Sequence, residues 1–289
     1  MKHKYKYDII LFGGDRLLEK GPLSNLSIFL KKKKISYLSI IDNIHAKKNI
    51  DKKKNLKKYL DENKINYLIV KKLSKFNLKR FIKNNTLGLS INAIWKFSPK
   101  TIKLFKGRLY NYHAGDLPTE RGAATISWRI LLNKYHKLSI NIHEVKKDFD
   151  TGDIIKKSNV SITKKDDLPY KHLEKIRFKE IKFLKQFIID YISNKKFMKK
   201  KQRNEKSYYW PRLNAQKDGL IDWNWSAKEI VDFIKAFSKP FNGSFSFINK
   251  NKVKIINATF YKSKVKFHPF QNGLIFRYHN NFFYIANRG

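Results

Sequence analysis

Asn111 and His113 stand two residues apart in the run LYNYHAGDLP, where a short apolar stretch gives way to Gly and Pro. On a β-strand that spacing puts both side chains on one face. An amide NH2 can donate to an oxyanion forming at a carbonyl, and an imidazole gives or takes a proton near neutrality. Downstream, the loop KKDFDTGD presents Asp148, Asp150 and Asp153 around Gly152. A carboxylate beside the imidazole would orient it and favour its charged form. Amide, imidazole and carboxylate suit attack of an amine on an acyl carbon, and they also suit acyl hydrolysis. The chain has no cysteine and no serine in a G-x-S-x-G elbow, so transfer without a covalent enzyme intermediate is expected.

Such residues need elements to hold them. Tyr7 to Phe12 reads as a buried strand ending at Gly13-Gly14, and Leu23 to Leu30 as a helix. Ile35 to Ile41, Tyr67 to Val70 and Leu87 to Ile91 read as further strands, with a charged helix over 51–62. Arg108 to His113 and Leu138 to Val145 follow as strands. Asp167 to Ser193 is a long helix, with Leu173, Ile176, Ile181, Leu184 and Ile188 at helical spacing. Strands alternating with helices predict an α/β domain with a Rossmann-like, mostly parallel sheet. The Asn111 and His113 pair then falls at the carboxyl end of a strand, where such sheets bind ligands. Residues 194–206, NKKFMKKKQRNEK, have almost no apolar content and read as a linker. The expected division is a catalytic domain over 1–193 and a smaller, β-rich, OB-like domain over 207–289. Gly13-Gly14 could cradle a phosphate, but G-x-G-x-x-G is not satisfied, and a tight turn accounts for both glycines.

Net charge is +41, carried by 54 lysines and only 10 arginines. A dedicated nucleic-acid surface would use more arginine, whose planar fork reads phosphates and guanines bidentately. Compositional drift is therefore favoured over a specific polyanion partner, although the charge still draws anions. Without cysteine, disulfides and thiolate catalysis are excluded. The eight histidines show neither H-x-H nor H-E-x-x-H spacing, so no metal site is expected. The apolar run Ile9 to Phe12 is too short for a signal-peptide core or a membrane span, and a cytoplasmic location is expected, with room for a homodimer.

Taken together, Asn111-Tyr112-His113, Leu117-Pro118, Arg121-Gly122-Ala123-Ala124 and Asp150-Thr151-Gly152-Asp153 resemble the signature of the folate-dependent formyltransferases. Downstream, Trp210-Pro211-Arg212 and GLIDWNW over 219–225 resemble the second domain of longer members. The resemblance implies Asn111, His113 and Asp150 as catalytic residues and 10-formyltetrahydrofolate as the formyl donor. Asn111 would donate to the oxygen of the tetrahedral intermediate, His113 would help move the amine proton, and Asp150 would tune His113. By the same resemblance, Lys96, Phe97 and Ser98, Gly115, Asp116, Leu117 and Pro118, and Asp148 and Phe149 would line the folate pocket. Asp116 stands where relatives often carry Leu, and contact with the acceptor amine is its alternative role.

The acceptor is less determined. WPRLN with GLIDWNW is closer to the formyltransferases of aminosugar and surface-glycan synthesis, which implies a nucleotide-linked aminosugar. Methionyl-tRNA is the alternative acceptor. A basic nucleic-acid-binding protein on an inactive scaffold of this kind is a third reading. Against the tRNA reading, LFGGDRLLEKGP departs from the usual turn after the first strand, and the chain ends at Asn287-Arg288-Gly289, short of where a full C-terminal domain would close. Tyr208, Tyr209, Trp210, Trp223 and Trp225 could stack on a base or sugar, with packing as the plainer reading.

Overall fold

The apolar run at Tyr7–Gly13 forms β1, and runs of the same character supply its neighbours: β2 (Tyr37–Ile41), β3 (Tyr67–Ile69), β4 (Ile82–Ile91) and β5 (Leu109–Ala114). The structure, a computed structural model, describes residues 6–15, 21–50, 54–260, 274–279 and 282–286. The remaining strands are β6 (Arg121–Gly122), β7 (Leu138–Glu144), β8 (Ile154–Val160), β9 (Tyr209–Trp210), β10 (Ser244–Ile248), β11 (Asn251–Ile255), β12 (Leu274–His279) and β13 (Phe282–Ala286). The helices are α1 (Pro22–Lys32), α2 (Asn43–Lys47), α3 (Leu56–Glu62), α4 (Pro99–Leu104), α5 (Thr125–Leu131), α6 (Pro169–Ile192), α7 (Ala215–Asp218) and α8 (Ala227–Ala236).

Seven strands form one sheet in the order β3-β2-β1-β4-β5-β7-β8. The first five run parallel, β7 adds antiparallel to β5, and β8 antiparallel to β7. This is the expected Rossmann-like α/β sheet, with an antiparallel pair closing one edge. β8 was not expected from sequence. Its run IIKKSNV buries only Ile154, Ile155 and Val160, and an edge strand with one wet face carries too few apolar residues to stand out. Phe12, Leu38, Ile40, Phe81, Phe97 and Phe105 share one hydrophobic cluster. Burying each such side chain contributes about 1.5–3 kcal/mol.

At the end of β1, Gly13 has φ +119°, and a Cβ there would lie 1.9 Å from the Ile91 carbonyl oxygen. Close passage of β1 over β4 therefore requires glycine. The first amides of α1 already have an acceptor: Leu23 N–H and Ser24 N–H donate to the buried Asp15 carboxyl group at 2.9 and 3.3 Å. That carboxyl group occupies the place at the helix start where a phosphate would sit. The charged helix expected over 51–62 starts at Leu56, because Asn55 caps it; residues 51–53 lie outside the described residues.

The chain divides into two compact units. One comprises Met1–Gly122, Lys137–Ser161 and Glu174–Tyr209, and the other Ala123–His136, Ile162–Leu173 and Trp210–Gly289. In the second unit α5 packs on α8, with Ser127 Oγ donating to the Ala236 carbonyl at 2.8 Å. A capping box between Ser226 and Glu229 starts α8. The hairpins β10–β11 and β12–β13 give this unit its β-rich character. Among the described residues, no helix is long and apolar enough to cross a membrane.

Candidate active site

All the residues of the predicted trio lie in the first unit. β5 carries Asn111 and His113 on one face, and the antiparallel register sets His143 of β7 opposite Asn111 and Asn141 opposite His113. β7 alternates strictly: Leu138, Ile140 and Ile142 face one way, Ser139, Asn141 and His143 the other, and all six are buried. The ladder between β7 and β8 shifts register between Ile142 and His143. Such an irregularity re-aims a side chain, and here it lies at the strand end beside the trio.

Asp150 sits in the loop joining β7 to β8, in the left-handed region at φ +55°. Gly152 brings the chain back so closely that a Cβ would lie 1.9 Å from the Glu144 carbonyl oxygen. The Asp150 carboxylate is bracketed by two imidazoles. His113 Nδ1 faces Oδ2 at 3.6 Å, and His143 Nε2 faces Oδ1 at 3.2 Å. Gly122 N–H donates to Oδ2 at 2.9 Å, and Asn111 Nδ2 donates to Oδ1 at 3.3 Å. Burial pushes the carboxyl up. The charge of His113, the hydrogen bond and charge of His143, and the Gly122 N–H outweigh burial and hold it well below the usual carboxylate range. Asp150 is therefore an anion throughout the neutral range.

His113 has a defined tautomer. Its Nε2 lies 2.6 Å from the Glu120 carbonyl oxygen. A carbonyl only accepts, so Nε2 carries the hydrogen. Nδ1, facing Asp150, is the nitrogen that takes up a further proton. Asn111 is partly exposed, while His113 is buried. The set can therefore offer a hydrogen bond outward while handling a proton inside.

The residues expected around a folate are placed unevenly. Lys96 Nζ lies 5.3 Å from the centroid of the Phe149 ring, which is half exposed and 6.5 Å from the Tyr209 ring. Phe97 turns the other way, into the core, edge-on to Phe12 at 5.2 Å. Ser98 caps α4, accepting from Thr101 N–H. In the loop after β5, the Gly115 carbonyl accepts from Asn141 Nδ2 at 2.6 Å, Leu117 is buried, and Pro118 follows it. Asp116 Oδ1 meets Lys157 Nζ at 2.6 Å and Ser139 Oγ at 2.8 Å. The Asp148 carbonyl accepts from Thr151 Oγ1. Of the aromatics, Tyr208 and Tyr209 are exposed, Trp210 is buried, and Trp223 Nε1 donates to Ser246 Oγ at 2.8 Å.

Two participants were not expected from sequence. His143 is one. The other is Gln202, within the segment read as a linker. Its Nε2 donates to the carbonyls of Asp150 and Gly152 at 2.8 and 2.6 Å, and its Oε1 accepts from the Arg121 guanidinium at 3.1 and 3.0 Å. Nearby, Lys199 pairs with Glu144 at 2.5 Å. Gln202 thus straps the Asp150 loop to Arg121, whose neighbour Gly122 holds the Asp150 carboxylate. Gln202→Ala removes bonds worth about 1 kcal/mol each and frees the loop. The expected result is roughly a tenfold fall in kcat, since misplacement by a fraction of an ångström is costly, with only a small fall in melting temperature. Unchanged kcat would show that the strap is dispensable.

Comparison with known proteins bears on this geometry. The profile of a family described as formyl transferase matches residues 94–188, and that of the formyl transferase C-terminal domain matches residues 214–288. A bifunctional polymyxin resistance protein ArnA from Wigglesworthia glossinidia brevipalpis is 29% identical over 181 residues, 60% of this chain and 25% of that protein. A methionyl-tRNA formyltransferase from a Sulfurihydrogenibium species is 33% identical over 167 residues, 57% of this chain and 52% of its own. The chain thus matches about half the length of the tRNA enzyme and a quarter of ArnA. The N-formyltransferase of Helicobacter canadensis, solved with folinic acid and dTDP-3-aminofucose, has the same fold, with a TM-score of 0.69 at 19% identity over 97% of this chain and 96% of that one.

Proposed function

This chain belongs to the formyl transferase family, and from that premise we propose that it moves a formyl group from 10-formyltetrahydrofolate to the amino group of a nucleotide-linked aminosugar. The observation that carries the chemistry is the largely buried, ionised Asp150 held against His113, with the Asn111 amide beside it. The surroundings fit such a donor. Phe149 offers an exposed ring face next to Asp150, and Lys96 stands over it as a cation for a carboxylate. Bound there, the folate supplies a formyl carbonyl attached to nitrogen. Asn111 Nδ2 donates to the carbonyl oxygen as negative charge builds on it. His113 Nδ1 accepts the proton released by the attacking amine, because Nε2 is committed to the Glu120 carbonyl. Asp150 stabilises the resulting imidazolium and keeps the ring oriented.

For the acceptor, the support is the likeness in fold, along nearly the whole of both chains, to an N-formyltransferase solved with dTDP-3-aminofucose. The identity to a methionyl-tRNA formyltransferase is what supports tRNA as the alternative acceptor. The proposal places the reaction in the cytoplasm. It is tested by following tetrahydrofolate release from 10-formyltetrahydrofolate with dTDP- and UDP-4-amino sugars and with methionyl-tRNA. Turnover with a nucleotide aminosugar and none with the tRNA is expected. The reverse pattern would replace the acceptor, and salt-sensitive tRNA binding without release from any amine would sink the enzyme reading.

A further inference from the structure

Glu120 is 1% exposed, and a polar group so buried is costly unless it is hydrogen-bonded. The chemistry above uses its backbone carbonyl and leaves its side chain without a task. That side chain reaches back four residues: Oε2 accepts from Asp116 N–H at 2.8 Å, which closes the loop between β5 and β6 on itself. The Asp116 carbonyl accepts from Thr119 Oγ1 at 2.7 Å across the same turn. The near end of the loop is fixed to the sheet. Gly115 N–H donates to the Ser139 carbonyl at 2.9 Å, and the Gly115 carbonyl accepts from Asn141 Nδ2 at 2.6 Å. Asp116 Oδ1 meets Lys157 Nζ of β8 and Ser139 Oγ of β7.

We propose that Glu120 is a positioning residue for formyl transfer: its side chain ties residue 120 to the anchored Asp116 and so aims the Glu120 carbonyl at His113 Nε2. The hydrogen bond made by one ring nitrogen of a histidine decides which nitrogen carries the proton in the neutral ring. Here two acceptors compete for that proton, the Glu120 carbonyl at 2.6 Å from Nε2 and the Asp150 carboxylate at 3.6 Å from Nδ1. A proton drawn to Nδ1 by the carboxylate would leave no lone pair where the amine proton must arrive. The Glu120 carbonyl prevents this by holding the hydrogen on Nε2, and it can do so only while the loop keeps it in place. Asp116 anchors the loop, and Glu120 carries that anchorage to the carbonyl.

The inference rests on the formyl-transfer reading for its effect on rate, and the first readout needs no turnover. In the pH range where the His113 ring is neutral, nitrogen NMR is expected to show the Nε2–H tautomer in the wild type and in Glu120→Gln. In Glu120→Ala the Nδ1–H tautomer should appear. With 10-formyltetrahydrofolate and the acceptor that the wild type turns over, Glu120→Ala is expected to lower kcat about tenfold. Glu120→Gln, whose amide oxygen can still accept from Asp116 N–H, should recover most of that loss. An Nδ1–H tautomer in the wild type, an unchanged tautomer in Glu120→Ala, or a Glu120→Gln as slow as Glu120→Ala would each overturn the proposal. The wild-type tautomer is read without any variant, so misfolding of Glu120→Ala would not hide it. The expected tautomers in a protein that releases tetrahydrofolate with no amine would instead overturn the formyl-transfer reading and leave the positioning of His113 standing.

Discussion

Asp150→Asn is expected to lower turnover by about three orders of magnitude while leaving the protein folded, because an amide keeps the shape of the carboxylate but removes the charge that pairs with the imidazole. The geometry gives the reason. His113 Nδ1 gains its proton 3.6 Å from Asp150 Oδ2, and in a buried site no water replaces that partner. An asparagine could still accept from Gly122 N–H. Turned the other way it would aim an NH2 at His113 and compete for Nδ1. Turnover of Asp150→Asn within tenfold of wild type would refute the assignment.

The same carboxylate makes a signed prediction about stability. Its pKa is depressed in the folded protein, against about 3.9 in an unfolded chain. Its contribution is therefore fully present above the unfolded value and lost as pH falls through the folded one. The gap in melting temperature between wild type and Asp150→Asn should be constant across the neutral range and shrink as pH drops below about 4. A gap that widens with acidification would contradict the pairing.

The trio was legible because its spacing carries geometry: residues i and i+2 on a strand share a face whatever the fold, and a Gly/Pro-rich loop marks where the strand ends. What escaped depends on contacts between distant positions. The alternation in LSINIHE reads as a strand with one wet face. In the structure the polar side is as buried as the apolar one, because β7 lies between β5 and β8 and its Asn and His side chains are bonded into the site. The lysine-rich stretch at 194–206 looks like a linker by composition. Yet Lys200 pairs with Ile154 in a β-bridge, and Gln202 bonds to a loop about fifty positions away. No local pattern encodes a partner at that distance. The segment Lys96 to Ser98 illustrates a different limit. Three consecutive residues, matched as a block, take three separate directions: Lys96 over Phe149, Phe97 into the core, and Ser98 onto the start of α4.

Asn111→Ala tests the remaining element of the mechanism, and its expected effect is a fall in kcat of about 10²–10³-fold with KM little changed. The asymmetry between the two constants follows from when the interaction matters. A neutral formyl oxygen gains little from the Asn111 amide over what water gives it, whereas an oxygen taking up negative charge in a site shielded from water gains far more. The amide is preorganised for that moment, since its NH2 is held by Asp150 Oδ1 rather than left to rotate. Truncation to alanine removes the donor together with its hydrogen bond to Asp150 Oδ1, so part of the loss passes through the position of the carboxylate. Asn111→Asp isolates the electrostatic share. It preserves size but sets a second carboxylate beside Asp150 and an anion where an oxyanion must form, and it should be slower than Asn111→Ala. If Asn111→Asp is instead the faster of the two, Asn111 serves to space the site rather than to donate a hydrogen bond.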